Sequence, residues 1–179
     1  MTVTERPTRL SARDPRLAPW RAFLLAHARV VRRLDEELRA EHDLSLAEYD
    51  ALLTIAQAPD GRVRMGSLAD QVLLSKSGVT RLIDRLVSDG LVERSTCSAD
   101  ARGAEAVLTE TGRARLRDAS RTHLRGIDEH FLAIVDPNDL DATERTLNAV
   151  ARHAGAGPAG DAVGDCGPTG LEASGPNDR

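Results

Sequence analysis

The stretch Ser67–Gly112, "SLADQVLLSKSGVTRLIDRLVSDGLVERSTCSADARGAEAVLTETG", decides the fold. Ser67 is placed to N-cap a helix of barely two turns ending near Leu73, and a second cap, Ser75, follows almost at once. In the segment that Ser75 opens, Val79, Leu82, Ile83, Leu86 and Val87 recur at i, i+3, i+4, i+7 and i+8, and Gly90 stands where a left-handed C-cap belongs. Two short helices separated by about three residues are a helix-turn-helix signature. "LVERSTC" and "AEAVL" then predict two strands of a hairpin around a loop of about seven residues, and Thr109 follows as another N-cap.

Working outward, apolar residues at Trp20, Phe23, Leu24, Val31, Leu34 and Leu38 repeat with a helical period from Pro19 to about Glu41. "LSLAEYDALLTIAQAPDG" predicts a second helix. Ser45 and Glu48 form its capping box, Leu44 can staple onto Tyr49, and Pro59-Asp60-Gly61 stops it. A short extended piece is expected at Arg62 to Met65. Beyond Thr109, Leu116, Ala119, His123, Ile127, Phe131 and Ile134 share one helix face until Asp136-Pro137, and a last helix runs from Pro137 at N1 to about His153. The expected organisation is a loosely ordered arm at 1–16, one domain at 17–153 and a Gly/Pro-rich disordered tail at 154–179. The DNA-binding part is placed at about 45–110.

The net charge is −4, and its distribution matters more than its sum. Residues 1–61 carry −1, residues 62–125 carry +4, residues 126–153 carry −4 and residues 154–179 carry −3. The middle third is therefore a basic footprint of the kind a phosphate backbone attracts. No run approaches the roughly eighteen apolar residues of a membrane helix, and the N-terminus lacks an apolar signal core, so a cytoplasmic protein is expected. Cys97 and Cys166 lack metal-type spacing, so neither a zinc ribbon nor a disulfide framework is indicated. His123 and His130 stand about 10.5 Å apart along their helix, too far for one ion, which leaves only ligands drawn from different helices. No metal and no cofactor is expected. Nucleophile elbows, phosphate-binding glycine loops and catalytic His/Asp/Glu pairings are absent, so an enzyme is not expected.

Opposite the apolar stripe of the Ser75-capped helix lie Ser77, Arg81, Asp84 and Ser88, flanked by Thr80 and Arg85. Such a face suits the major groove, where arginine donates in bidentate fashion to guanine and hydroxyls serve bases or phosphates. Ser75 and Lys76 at the helix N-terminus suit a phosphate. Asp84 reads as an orienting residue. In the loop between the strands, Arg102 can probe a minor groove, Asp100 can fix where its guanidinium points, and Gly103 allows the tight return into the strand. Arg94, on the incoming strand, either touches phosphate or keeps the strand soluble.

A helix-turn-helix followed at once by a β-hairpin is a winged helix, so the expected fold is mainly α with a small β-hairpin wing between long helices. Over roughly residues 17 to 153 the sequence resembles the MarR family of bacterial transcription regulators. The resemblance rests on "DARGAEAVLTETG", with Asp100, Arg102, the Leu108-Thr109 pair and Gly112, and on "SLADQVLLSKSGVTRLIDRLVSDGLVER". It implies a homodimer with interlocked N- and C-terminal helices whose two winged helices read a palindromic operator in double-stranded DNA. It also implies a repressor released by a small aromatic or anionic ligand bound where the dimer helices meet the winged helix. Trp20, His27 and Tyr49 are the candidate ligand residues, although Trp20 and His27 also fit core or dimer packing. The competing reading is a winged-helix protein-protein assembly module without sequence-specific DNA binding.

Overall fold

The computed structural model describes residues 10–72, 76–96 and 104–155, which fall into two compact units dividing between Asp136 and Pro137. In the first, α1 (Ala18–His42) and α2 (Leu46–Gln57) precede strand β1 (Arg62–Arg64), α3 (Met65–Gln71), α4 (Lys76–Ser88), strands β2 (Val92–Thr96) and β3 (Ala104–Leu108), and α5 (Glu110–Ile127). The second holds α6 (Leu140–Gly155). This is a winged helix-turn-helix, mostly helical with one small antiparallel sheet.

Asp43, which the sequence does not single out, takes a left-handed conformation (φ 53°) to close α1, whereas Ser45, Gly90 and Thr109 are helix-end residues that the sequence nominates. The capping box is complete: Ser45 Oγ accepts from the Glu48 N–H, and Glu48 Oε2 accepts from the Ser45 N–H at 2.8 Å. Gly90, at φ 69°, ends α4 in a Schellman motif, with Gly90 N–H donating to Val87 O and Leu91 N–H to Leu86 O. Thr109 Oγ1 accepts from the Gly112 N–H at the head of α5 and itself donates to Gly90 O and Leu91 O.

The sheet has the order β1-β3-β2. Thr96 pairs with Ala104, so seven residues connect the strands, as expected. Along β3 every second side chain, Ala106 and Leu108, is buried. These residues join Leu38, Leu52, Ile55, Leu68, Ile83, Leu86 and Leu116 in one core spanning α1 to α5. Each fully buried Leu or Ile contributes about 1.5–3 kcal/mol relative to exposure, so the core fixes how α4 sits against the wing.

Three expectations are corrected. Ser67 does not cap α3. That helix begins at Met65, directly off β1, with Arg64 as its cap and no side-chain capping bond, because Met65 packs against the core and draws the first turn forward. The helix after Thr109 is not one regular α-helix. It changes at Asp128–Leu132 into a π segment, closed by Ala133 N–H to Asp128 O at 2.8 Å. Finally, residues 137–139 form a turn, so α6 starts at Leu140 rather than Pro137.

Candidate nucleic-acid interface

The side of α4 turned away from the core carries Ser77, Thr80, Arg81, Asp84 and Arg85, all exposed, while Val79, Leu82, Ile83 and Leu86 are buried behind it. The helical period therefore sorts this helix as its sequence anticipates, except at Val87, which is exposed at the end of the stripe. Among the described residues nothing pairs with the Arg81 guanidinium, which leaves its five donors to solvent. Lys76 opens the helix. Ser75, Asp100, Arg102 and Gly103, and Cys97 beside them, lie outside the described residues.

The two other arginines are engaged. Arg94 on β2 meets Asp84 Oδ1 at 2.7 Å, so the first wing strand is tied to the outward face of α4. Arg85 meets Glu48 Oε1 at 2.9 Å. Glu48 is only 7% exposed, and its other oxygen accepts from both the backbone N–H and the hydroxyl of Ser45. One buried carboxylate thus caps α2 and holds α4. The capping box is readable from a four-residue spacing, but the bond to Arg85 is not, since it joins residues far apart in the chain.

Behind this surface α5 packs along α1 and α2. Thr122 Oγ1 donates to Glu41, which also accepts from Arg125, and the two bonds hold the Glu41 carboxyl below its ordinary range, Thr122 having the larger effect. Because that hydroxyl proton is committed to Glu41, His42 Nε2, 2.8 Å away, is the donor to Thr122 Oγ1.

Part of this molecule matches a family model described as MarR family, over residues 42–103. Among solved structures, AbsC, a MarR family transcriptional regulator from Streptomyces coelicolor, is 30% identical with a TM-score of 0.75, over 82% of this chain and 98% of that one. The chain belongs to the MarR family. Another member with the same fold, Sco3205 from S. coelicolor, was solved in complex with DNA; it is 26% identical over 83% of this chain and 92% of its own, with a TM-score of 0.75. The HTH-type transcriptional repressor YetL of Bacillus subtilis is 32% identical over 51% of this chain, and the match spans 55% of YetL. MarR family proteins are transcriptional regulators, not enzymes.

In this MarR family chain the aromatic residues expected to hold a ligand do not converge. Trp20 (53% exposed), Phe23 and His27 follow one another along the open side of α1, with ring centroids 6.0 and 6.1 Å apart. Tyr49 is buried instead, its ring 4.4 Å from His123 and its hydroxyl donating to Ser120. Burial raises the Tyr49 phenol and lowers the His123 imidazole, each away from its charged form. An open cleft of about 460 Å³ lies elsewhere, between α1 and α2, with Val31, Arg32, Asp35, Leu46, Asp50 and Val72 among its lining. Asp35 there is committed: it takes Arg39 at 2.7 Å and the Leu46 N–H at 2.8 Å, and Arg39 above all holds its carboxyl below the ordinary range. Arg32 has no partner among the described residues. A sequence period reports which residues share one helix face, not which cleft two helices leave between them, and so it missed Arg32. No described helix is long and apolar enough to cross a membrane.

Proposed function

We propose that this protein is a dimeric, sequence-specific DNA-binding regulator, a repressor working in the cytoplasm on a palindromic operator and released by a small ligand. The observation that carries the reading is the exposed polar face of α4, where Arg81 has no partner among the described residues and lies within the most basic third of the chain. The relative Sco3205, seen bound to DNA, and the repressor name of YetL support it. In this reading Ser77, Thr80 and Arg81 face base edges. Ser75 and Lys76 take phosphate, and Arg102, oriented by Asp100 beside Gly103, enters the minor groove. Arg85 and Arg94 position the helix and wing through Glu48 and Asp84. The small effector, aromatic or anionic, occupies the cleft beside Arg32, whose guanidinium suits a carboxylate. The cleft falls within the range of about 300–1,000 Å³ typical of small-ligand sites.

A footprint over the DNA flanking its own gene, followed by gel-shift titration, tests this. Arg81→Ala is expected to cost about 1–3 kcal/mol against one base pair and little on random DNA. Arg102→Ala is expected to weaken operator binding severely with the oligomer intact. Equal losses on specific and random DNA for Arg81→Ala, or unchanged binding for Arg102→Ala, would remove the assigned roles. In the same titration benzoate should release wild-type protein but not Arg32→Ala.

A further inference from the structure

Where α1 passes the end of α5, three side chains with metal-ligand chemistry converge that DNA reading does not use. Glu37 stands on α1; Glu129 and His130 stand in the π segment Asp128–Leu132. One ligand atom from each lies within 4.8 Å of the other two. His130 Nε2 is 2.6 Å from Glu37 Oε1, and the second carboxylate oxygen, Glu37 Oε2, is buried with no hydrogen-bond partner. Withdrawing that oxygen from water with nothing to accept is a cost that a cation bound to the same carboxylate reduces, by neutralising its charge.

A Cβ at Gly126 would stand 2.6 Å from both Glu37 Oε2 and Leu34 Cδ2, so glycine there lets α5 close on α1 without displacing either side chain. The π segment adds a residue to the turn that follows, redirecting the side chains that face α1, and such segments often sit at functional sites.

We propose that Glu37, Glu129 and His130 bind a divalent transition-metal ion of Zn(II) type. One imidazole nitrogen and two carboxylate oxygens form a three-ligand set, and water completes the tetrahedron. The two carboxylates balance the ion's charge. An imidazole in the set favours Zn(II) over Ca(II) or Mg(II), which take oxygen ligands in larger number. Bonds of about 2.0–2.2 Å place tetrahedral ligand atoms about 3.4 Å apart. Glu129 is exposed, so a change of its rotamer closes the set, and the ion takes the place of the hydrogen bond between His130 and Glu37. Bound there, it pins α1 to the chain as that chain leaves α5.

Calorimetric titration of the full chain with ZnCl2, beside thermal melts with and without the ion, tests the site. One ion per chain is expected, with a rise in Tm. Glu129→Gln, at an exposed position that the fold does not need, should weaken binding by more than about tenfold and abolish the rise in Tm. His153→Asn, which changes a histidine on α6, should behave as the wild type. Absence of Zn(II) binding at micromolar ion, wild-type affinity in Glu129→Gln, or an equal loss in His153→Asn would each overturn the assignment.

Discussion

Glu48 shows what a residue's sequence neighbourhood reveals and what it hides. Its place three positions after Ser45 announces a cap, since a carboxylate there reaches the backbone N–H of the residue that starts the helix. Its second oxygen, however, belongs to Arg85, and only the folded chain brings the two together. The two roles separate by substitution. Glu48→Gln keeps an acceptor for the Ser45 N–H and removes the charge from Arg85, whose side chain is 61% exposed. Solvent screens such a pair, so urea melts should place the loss within about 1 kcal/mol. Glu48→Ala removes both roles and should cost about 1.5–3 kcal/mol, the range for hydrogen bonds to charged groups. Equal losses in the two variants would show that the ion pair, not the cap, is what Glu48 supplies. At the candidate interface the same limit held. The outward positions of Ser77, Thr80 and Arg81 follow from helical period, whereas the partners of Arg85 and Arg94 come from α2 and α4 and leave no local trace.

At the scale of elements the sequence was most informative where capping residues punctuate it. Ser45, Gly90 and Thr109 each mark a boundary that the structure keeps, because each supplies a hydrogen bond or a left-handed φ that few other residues supply there. Ser67 misleads because a serine near a helix start is common, and the packing of half-buried Met65 against the core outweighs it. The π segment leaves no mark in the periodicity because it lies near the end of the apolar stripe, where only the few positions after it, Ile134 among them, are turned out of phase. Gly112 belongs to the legible group only in retrospect. Its lack of a side chain lets the first turn of α5 rest on the backbone that leaves α4: a Cβ there would overlap the Leu91 carbonyl oxygen and come within 2.9 Å of Leu108 Cδ1. Gly112→Ala is therefore expected to destabilise the first unit by about 1–3 kcal/mol or more, although alanine ordinarily favours a helix. A Tm equal to or above wild type would contradict this close packing.

For the whole molecule, the core of the first unit accounts for its compactness but leaves α1 unfinished. Trp20, Phe23, Leu24 and Leu25 are all exposed near the start of that helix, an apolar stretch left open among the described residues of the first unit. On the proposed dimeric reading a second chain covers it, and Trp20, the sole tryptophan, reports the event. Its emission should shift to the blue as protein concentration rises through the dimerisation range. Phe23→Glu should hold the protein as a monomer in sedimentation, with the emission fixed at its red position and operator affinity lost. A wild-type sedimentation coefficient in Phe23→Glu would refute a partner on this face.

The bond from Arg94 to Asp84 and the knot of Gly90, Leu91, Thr109 and Gly112 join wing, α4 and α5 at several points. A reading head braced in this way has a fixed pitch. On the proposed reading it cannot flex to suit a poorly matched groove, so the adjustment passes to the nucleic acid, whose stiffness varies from one base step to the next. Base pairs that no side chain touches would then count in operator choice, through how readily they bend.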